Sequence, residues 1–100
     1  MDVQVEWSSE ALADVESIAE YIARDSAVYT KAVVESILET AESLHEFPFR
    51  GRTVPELGQE SVRERFVYSY RLIYRVQNGM VTIAAVVHGK RMLDSVRELL

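Results

Sequence analysis

The stretch from Val62 to His88 leaves the chain the least freedom. Three segments rich in β-branched and aromatic residues, Val62–Tyr68, Tyr70–Val76 and Met80–His88, follow one another almost without spacers. Ser69 separates the first two, and Asn78-Gly79, a pair suited to the left-handed positions of a two-residue hairpin, separates the second from the third. Links this short make the three strands antiparallel neighbours, because a parallel crossover needs a dozen or more residues. Such a sheet has an apolar face to cover, and the upstream residues supply the cover.

Val3-Gln4-Val5-Glu6-Trp7 alternates with period two and reads as a short strand. Ser8 or Ser9 then offers a capping oxygen, and Glu10 suits a positive first helical turn. Leu12, Val15, Ile18, Ala19 and Ile22 recur at helical spacing, and after a break at Asp25-Ser26 so do Tyr29, Val33, Ile37, Ala41 and Leu44. Residues 8–46 therefore read as a helical hairpin, apolar inside and acidic outside. Phe47–Gly58, with both prolines and two of the four glycines, reads as a connector. Arg91–Leu100, with Met92, Val96 and Leu99 at helical spacing, reads as a short terminal helix. The expected class is α+β: an N-terminal strand, a helical hairpin, a three-stranded antiparallel sheet and a short C-terminal helix. With 100 residues, 48% of them apolar, residues 1–100 are expected to form one domain around one core.

Charge is unevenly distributed. Residues 1–46 carry two bases and eleven acids, a net −9, whereas residues 47–100 carry nine bases and five acids, a net +4. Eight of those nine bases are arginines, the side chain whose planar fork suits carboxylate and phosphate. They either line solvated strands and loops or form a site for an anionic partner, RNA or an acidic protein segment. Within a strand Arg63 and Arg65 share one face, as do Arg71 and Arg75. An odd-numbered loop between the two strands would put all four on one side of the sheet, and an even one would split them. The sequence leaves both registers open.

Much chemistry is excluded by composition. No cysteine is present, so a disulfide framework, a Cys-type zinc site and a thiol nucleophile are absent. His45 and His88 are not at metal-binding spacing, and His45 suits the negative end of a helix. Neither a glycine-rich phosphate loop nor a Gly-x-Ser-x-Gly elbow occurs. No metal or cofactor is expected. Met1-Asp2-Val3 does not open a secretory signal, and the longest apolar run, Ile83–Val87, is far too short to cross a bilayer, so a cytoplasmic setting without membrane contact is expected. What remains is metal-independent phosphodiester chemistry. Arg63, Arg65, Arg71, Lys90 and Arg91 would supply cations, and His88, Tyr68, Tyr70 or Tyr74 would exchange protons. Glu64, between Arg63 and Arg65, is a further base candidate on the opposite face. The electrostatic half of such a site is present; the proton-transfer half has no clear owner.

Four fragments in order carry a resemblance. Phe47-Pro48-x-x-Gly51-Arg52-x-Val54-Pro55-Glu56-Leu57, Val62-Arg63-Glu64, Tyr70-Arg71-Leu72-Ile73-Tyr74-Arg75-Val76 and Val86-x-His88-Gly89-x-Arg91 resemble the RelE/ParE superfamily of toxins from bacterial type II toxin–antitoxin modules. The resemblance extends over essentially the whole length. It implies a small toxin of a plasmid-stabilisation type of module, kept inactive in a hetero-oligomer with its antitoxin. RelE-like members cut mRNA on the ribosome, whereas ParE-like members trap DNA gyrase and are not nucleases. By resemblance, Arg71 and Arg91 stand where RelE-like toxins place phosphate-binding arginines, and Arg63 and Arg65 where those toxins carry basic strand residues. The C-terminal tyrosine of RelE-like enzymes would fall near Val96 or Arg97, and no tyrosine follows Tyr74. The His-Tyr ending of another ribosome-dependent branch is missing too, and the long hairpin is ParE-like. The resemblance therefore implies a gyrase poison that acts by binding. A ribosome-dependent endoribonuclease and a non-toxic antitoxin-binding relic are the alternatives. The antitoxin is expected to place acids on Arg63, Arg65, Arg71, Arg75 and Arg91, and to bury more than a standard interface of ~1,600 Å².

Overall fold

A computed structural model describes residues 2–90. The elements are β1 (Gln4–Trp7), α1 (Ser9–Ala23), α2 (Ala27–Ser43), β2 (Arg52–Thr53), β3 (Val62–Val67), β4 (Tyr70–Gln77) and β5 (Met80–His88). The α+β class and the antiparallel trio β3-β4-β5 are as the sequence indicates. The sheet is larger than that trio, however: its five strands run in the order β1-β5-β4-β3-β2. β1 joins one edge parallel to β5, with Gln4 opposite Met80, and β2 joins the other edge antiparallel to β3. The expected terminal helix falls on residues 91–100, outside the described residues.

Both helices start where a serine can satisfy an orphan amide. Ser8 Oγ accepts from Ala11 N and Ser26 Oγ from Tyr29 N, each at 3.0 Å. The Asn78-Gly79 hairpin forms with φ of 54° and 73°, the mirror-image turn that matches strand twist. Between β3 and β4 the strand ends one residue earlier than its composition suggests. Tyr68 takes a φ of 55° and joins Ser69 in a two-residue loop, so Val67 pairs with Tyr70.

Side-chain alternation then builds one core on each face of the sheet. Toward the helices, Ile18, Ile22, Val33, Ile37 and Leu44 pack on Leu72, Tyr74, Val81, Ile83 and Val86. On the opposite face Val54, Val62, Ile73, Ala85 and Val87 cluster with Leu57, so part of the 47–58 connector folds over the sheet. Two expected core positions are corrected. Leu12 is 51% exposed and its neighbour Ala11 is fully buried, because the small side chain lets α1 approach the sheet closely. Tyr29 is 46% exposed and meets Tyr68 edge to face, with centroids 5.7 Å apart.

A β-bulge in β5 brings one hairpin acid inward. Ile73 opposes Ala85 and Tyr74 opposes Ile83, so Ala84 is the extra residue. Ser8 Oγ donates to Ala84 O at 3.2 Å, and Val86 N donates to the Asp14 carboxylate at 2.9 Å. Asp14 thus serves the sheet rather than the solvated helix surface. His45 closes the other end of the hairpin: Val3 N donates to His45 O, and His45 Nδ1 donates to Val3 O at 2.7 Å.

Candidate functional site

The face turned away from the helices carries a charged cluster built from four elements. Antiparallel alternation sends Val62, Glu64 and Phe66 of β3 to this face, together with Arg71, Ile73 and Arg75 of β4. β2 places Arg52 directly opposite Glu64. The turn after β2, closed by Leu57 N and Gly58 N donating to Val54 O, carries Glu56 above Arg71.

Arg71 is 4% exposed and Glu64 1%, so each charge needs a partner at hand. Arg71 Nε donates to Glu64 Oε1 at 2.7 Å, and Nη2 lies 2.6 Å from the same oxygen. Its outward edge grips Glu56, with Nη1 donating to Oε2 at 2.8 Å and Nη2 to Oε1 at 2.9 Å. Arg52 Nε donates to the second Glu64 oxygen at 2.6 Å. Two guanidiniums and two carboxylates therefore form a neutral set. The hydrogen bonds from Arg71 hold the Glu56 carboxyl at about 2, against an ordinary value of 4.5. Those same bonds, together with Glu64, raise Arg71 further above its already high value.

A pH dependence follows from Glu56. Its folded-state value lies below its unfolded one, so its contribution to stability is complete above about pH 4.5 and is lost as pH falls toward about 2. Chemical denaturation midpoints of the wild type should decline through that window more steeply than those of Glu56→Gln. Parallel declines would show that Glu56 is not the titrating group.

The register decides between the two arrangements that the sequence left open. With two residues in the β3–β4 loop the four strand arginines divide. Arg63 and Arg65 lie opposite Tyr74 and Leu72 on the helix side, and Arg71 and Arg75 lie on the other. Arg63 donates from Nε to Glu60 O at 2.9 Å and from Nη1 to Gly51 O at 3.1 Å, and it stacks on Phe49. Arg65 Nη1 is buried without a hydrogen-bond partner among the described residues. Arg75 is half-buried opposite Val62. His88 and Lys90 sit by the β3–β4 loop, beside an open groove of about 460 Å³ shared with Phe66, Tyr68, Ser69 and Gly89. There His88 Nδ1 accepts from Lys90 N, and its ring meets Tyr70 edge to face. Arg91 lies outside the described residues.

The proton-exchange candidates do not converge with the cations. Tyr74 is fully buried on the helix side, its hydroxyl accepting from Gly51 N at 2.9 Å, and burial pushes the phenol up. Burial, with Tyr29 and Tyr21 nearby, likewise raises Tyr70. Tyr68 is half-exposed at the loop, and Glu64 is bound by two guanidiniums. Tyr74→Phe should cost about 1–3 kcal/mol by stranding the buried Gly51 amide. Unchanged thermal unfolding would show that the amide finds another acceptor.

Arg52 and Glu56 were not singled out by sequence reasoning, although both lie within the recognised fragments. Their partners are 12 and 15 residues away, and only the strand register makes them neighbours. Among the described residues no group of three or more His, Asp or Glu side chains is placed to hold a metal ion. None of the described helices is long and apolar enough to cross a membrane.

Comparison with known proteins agrees with this architecture. Residues 5–93 match the family model described as ParE toxin of the type II toxin–antitoxin system parDE. Toxin RelE2 of Caulobacter vibrioides is 34% identical over 90 residues, covering 89% of this chain and 98% of the relative. Among solved structures, the chromosomal ParDE system of P. aeruginosa superposes with a TM-score of 0.71 at 19% identity, covering 86% of this chain and 95% of the other. A mutant of E. coli toxin RelE in the free state gives 0.67 at 16% identity, with 98% and 93% covered. The YoeB dimer from Staphylococcus aureus gives 0.59 at 16% identity, with 88% and 98% covered. These three establish the shared fold. With the family model spanning almost the whole length, the chain belongs to the ParE toxin family of type II toxin–antitoxin systems.

Proposed function

We propose that this family member acts in the cytoplasm by binding DNA gyrase rather than by cutting RNA, and that a cognate antitoxin neutralises it in a hetero-oligomer. The observation that carries this reading is the state of Arg71. A ribonuclease needs an open cation over the phosphate that gathers charge in the transition state. Here the fork is filled by Glu56 on one side and Glu64 on the other. Charge repulsion from those carboxylates opposes a phosphodiester at this place. The division of the strand arginines between two faces, and the distance of buried Tyr74 from His88 along the sheet, add to the argument.

Two assays on the pure protein test it. Inhibition of gyrase supercoiling, with accumulation of cleaved DNA, is expected, and mRNA on translating ribosomes should stay intact. Ribosome-dependent cleavage with untouched gyrase would reverse the assignment and favour the endoribonuclease, a reading to which the name of the Caulobacter relative lends some weight. If neither activity appears, the chain is an antitoxin-binding relic.

A further inference from the structure

The outward edge of the Arg71 fork already holds an anion, and that anion belongs to the chain itself. We propose that the fork is an exchangeable carboxylate site: Glu56 is its resident ligand, and an Asp or Glu side chain of the antitoxin takes the place of Glu56 when the two proteins dock. The inference rests on the reading that the chain works through protein partners.

The floor of the site is fixed. Arg71 and Glu64 are buried in adjacent central strands, and Glu64 orients the guanidinium through Nε and Nη2. The lid side is different. Glu56 is carried by an irregular turn, its side chain is 29% exposed, and it meets Arg71 through the two outward nitrogens. Rotation of that side chain into water frees two parallel donors without moving the strands. Exchange keeps the number of ion pairs constant, so it leaves no buried charge unmatched.

Charge selects the ligand class. Without Glu56, Arg71 and Arg52 face Glu64, a net charge of +1. A carboxylate is a planar monoanion with two oxygens, and it restores neutrality. Phosphate as a dianion would crowd a surplus negative charge against Glu64, and a phosphodiester, a monoanion too, is tetrahedral and brings the neighbouring charges of its strand with it. Beside the fork Phe66 lies on the same face, half-exposed, with the Arg52 guanidinium 5.1 Å from its ring centre. It offers an apolar ledge to the side chain next to the incoming acid.

The test uses the full chain with Glu56→Ala and sodium acetate as probe, against phosphate and chloride at equal ionic strength. The Arg71 Nε–H resonance should shift saturably with acetate in the variant and not in the wild type. The variant's melting temperature should rise along with that shift. An Ala variant that is folded and blind to acetate overturns the site, as does an equal response from the wild type. Saturation by phosphate at lower concentration than acetate overturns the carboxylate assignment in favour of a phosphate-type anion. Should the Ala variant not fold, Glu56→Gln reports in the same way, since its neutral amide leaves the fork in want of an anion. In the second arm, purified antitoxin is added to wild-type protein carrying labelled carboxyl carbons. The Glu56 signal should move to the position of a free glutamate, and a Glu56 signal that stays put in the complex overturns the exchange. The gyrase assay of the wild type scores the proposed target separately from either arm.

Discussion

Glu64→Ala should be the most damaging single substitution on the sheet, costing about 3–5 kcal/mol, the range for removing one partner of a buried ion pair. Glu64 is the hub that Arg52 and Arg71 share, and its side chain is fully shielded from water. Arg71 is 4% exposed and stays protonated at any attainable pH, so the lost charge has no cheap substitute. Glu56 alone remains, on the outward edge, and Nε is left facing an emptied pocket. Arg52→Ala provides the contrast. That side chain is 58% exposed, and without it Glu64 keeps Arg71 and loses one hydrogen bond, a cost of about 1–3 kcal/mol. Urea denaturation of both variants measures the difference. The Glu64→Ala, Arg71→Ala double variant should recover part of the loss, because it removes the stranded charge together with its cause. Near-equal costs for Glu64→Ala and Arg52→Ala would mean that the cluster is solvated in a way its burial does not suggest.

Gly51→Ala is expected to cost about 3 kcal/mol, near the top of the range for overpacking, although it adds a single methyl group. A Cβ at this position would stand 2.4 Å from Glu64 O and 2.7 Å from the Tyr74 hydroxyl. Neither neighbour is a free side-chain end. Glu64 O is backbone of a strand paired on both sides, and the Tyr74 hydroxyl is held by Gly51 N. The reason is therefore close approach rather than backbone dihedral, since Gly51 is not among the glycines with positive φ. Thermal unfolding measures the loss, and combination with Tyr74→Phe identifies the obstacle. Removing the hydroxyl leaves the backbone clash, so the double variant should not regain stability. Full recovery would place the obstacle in the phenol instead.

These two residues also mark how far the sequence is legible. The helices and the Asn78-Gly79 hairpin depend on neighbours within a turn, and their spacing announces them. Ala11 taking the place of Leu12 in the core depends on how near a helix lies to a sheet, which apolar periodicity does not encode. β2 is two residues long, between Gly51 and a turn containing Pro55, and no propensity argument finds a strand there. The loop at Tyr68 is the costliest omission. A tyrosine at positive φ is rare, so the segment reads as strand through Tyr68 with one spacer residue. That single residue decides whether the arginines of β3 and β4 gather or divide. The electrostatic excess of the second half was visible in composition. The capture of Arg71 by two carboxylates was not, because Glu56 and Arg71 meet only after the connector has folded over the sheet.

The pairing of Gln4 with Met80 sets an order of events during synthesis. The amino-terminal strand leaves the ribosome tens of residues before its hydrogen-bonding companion has been translated, so it must wait as an unmatched edge while the hairpin coils beside it. Contacts of such long sequence separation slow folding. Docking of β1 is therefore expected to be a late event of maturation, and a nascent chain halted before residue 80 would expose a ready template for association with other chains.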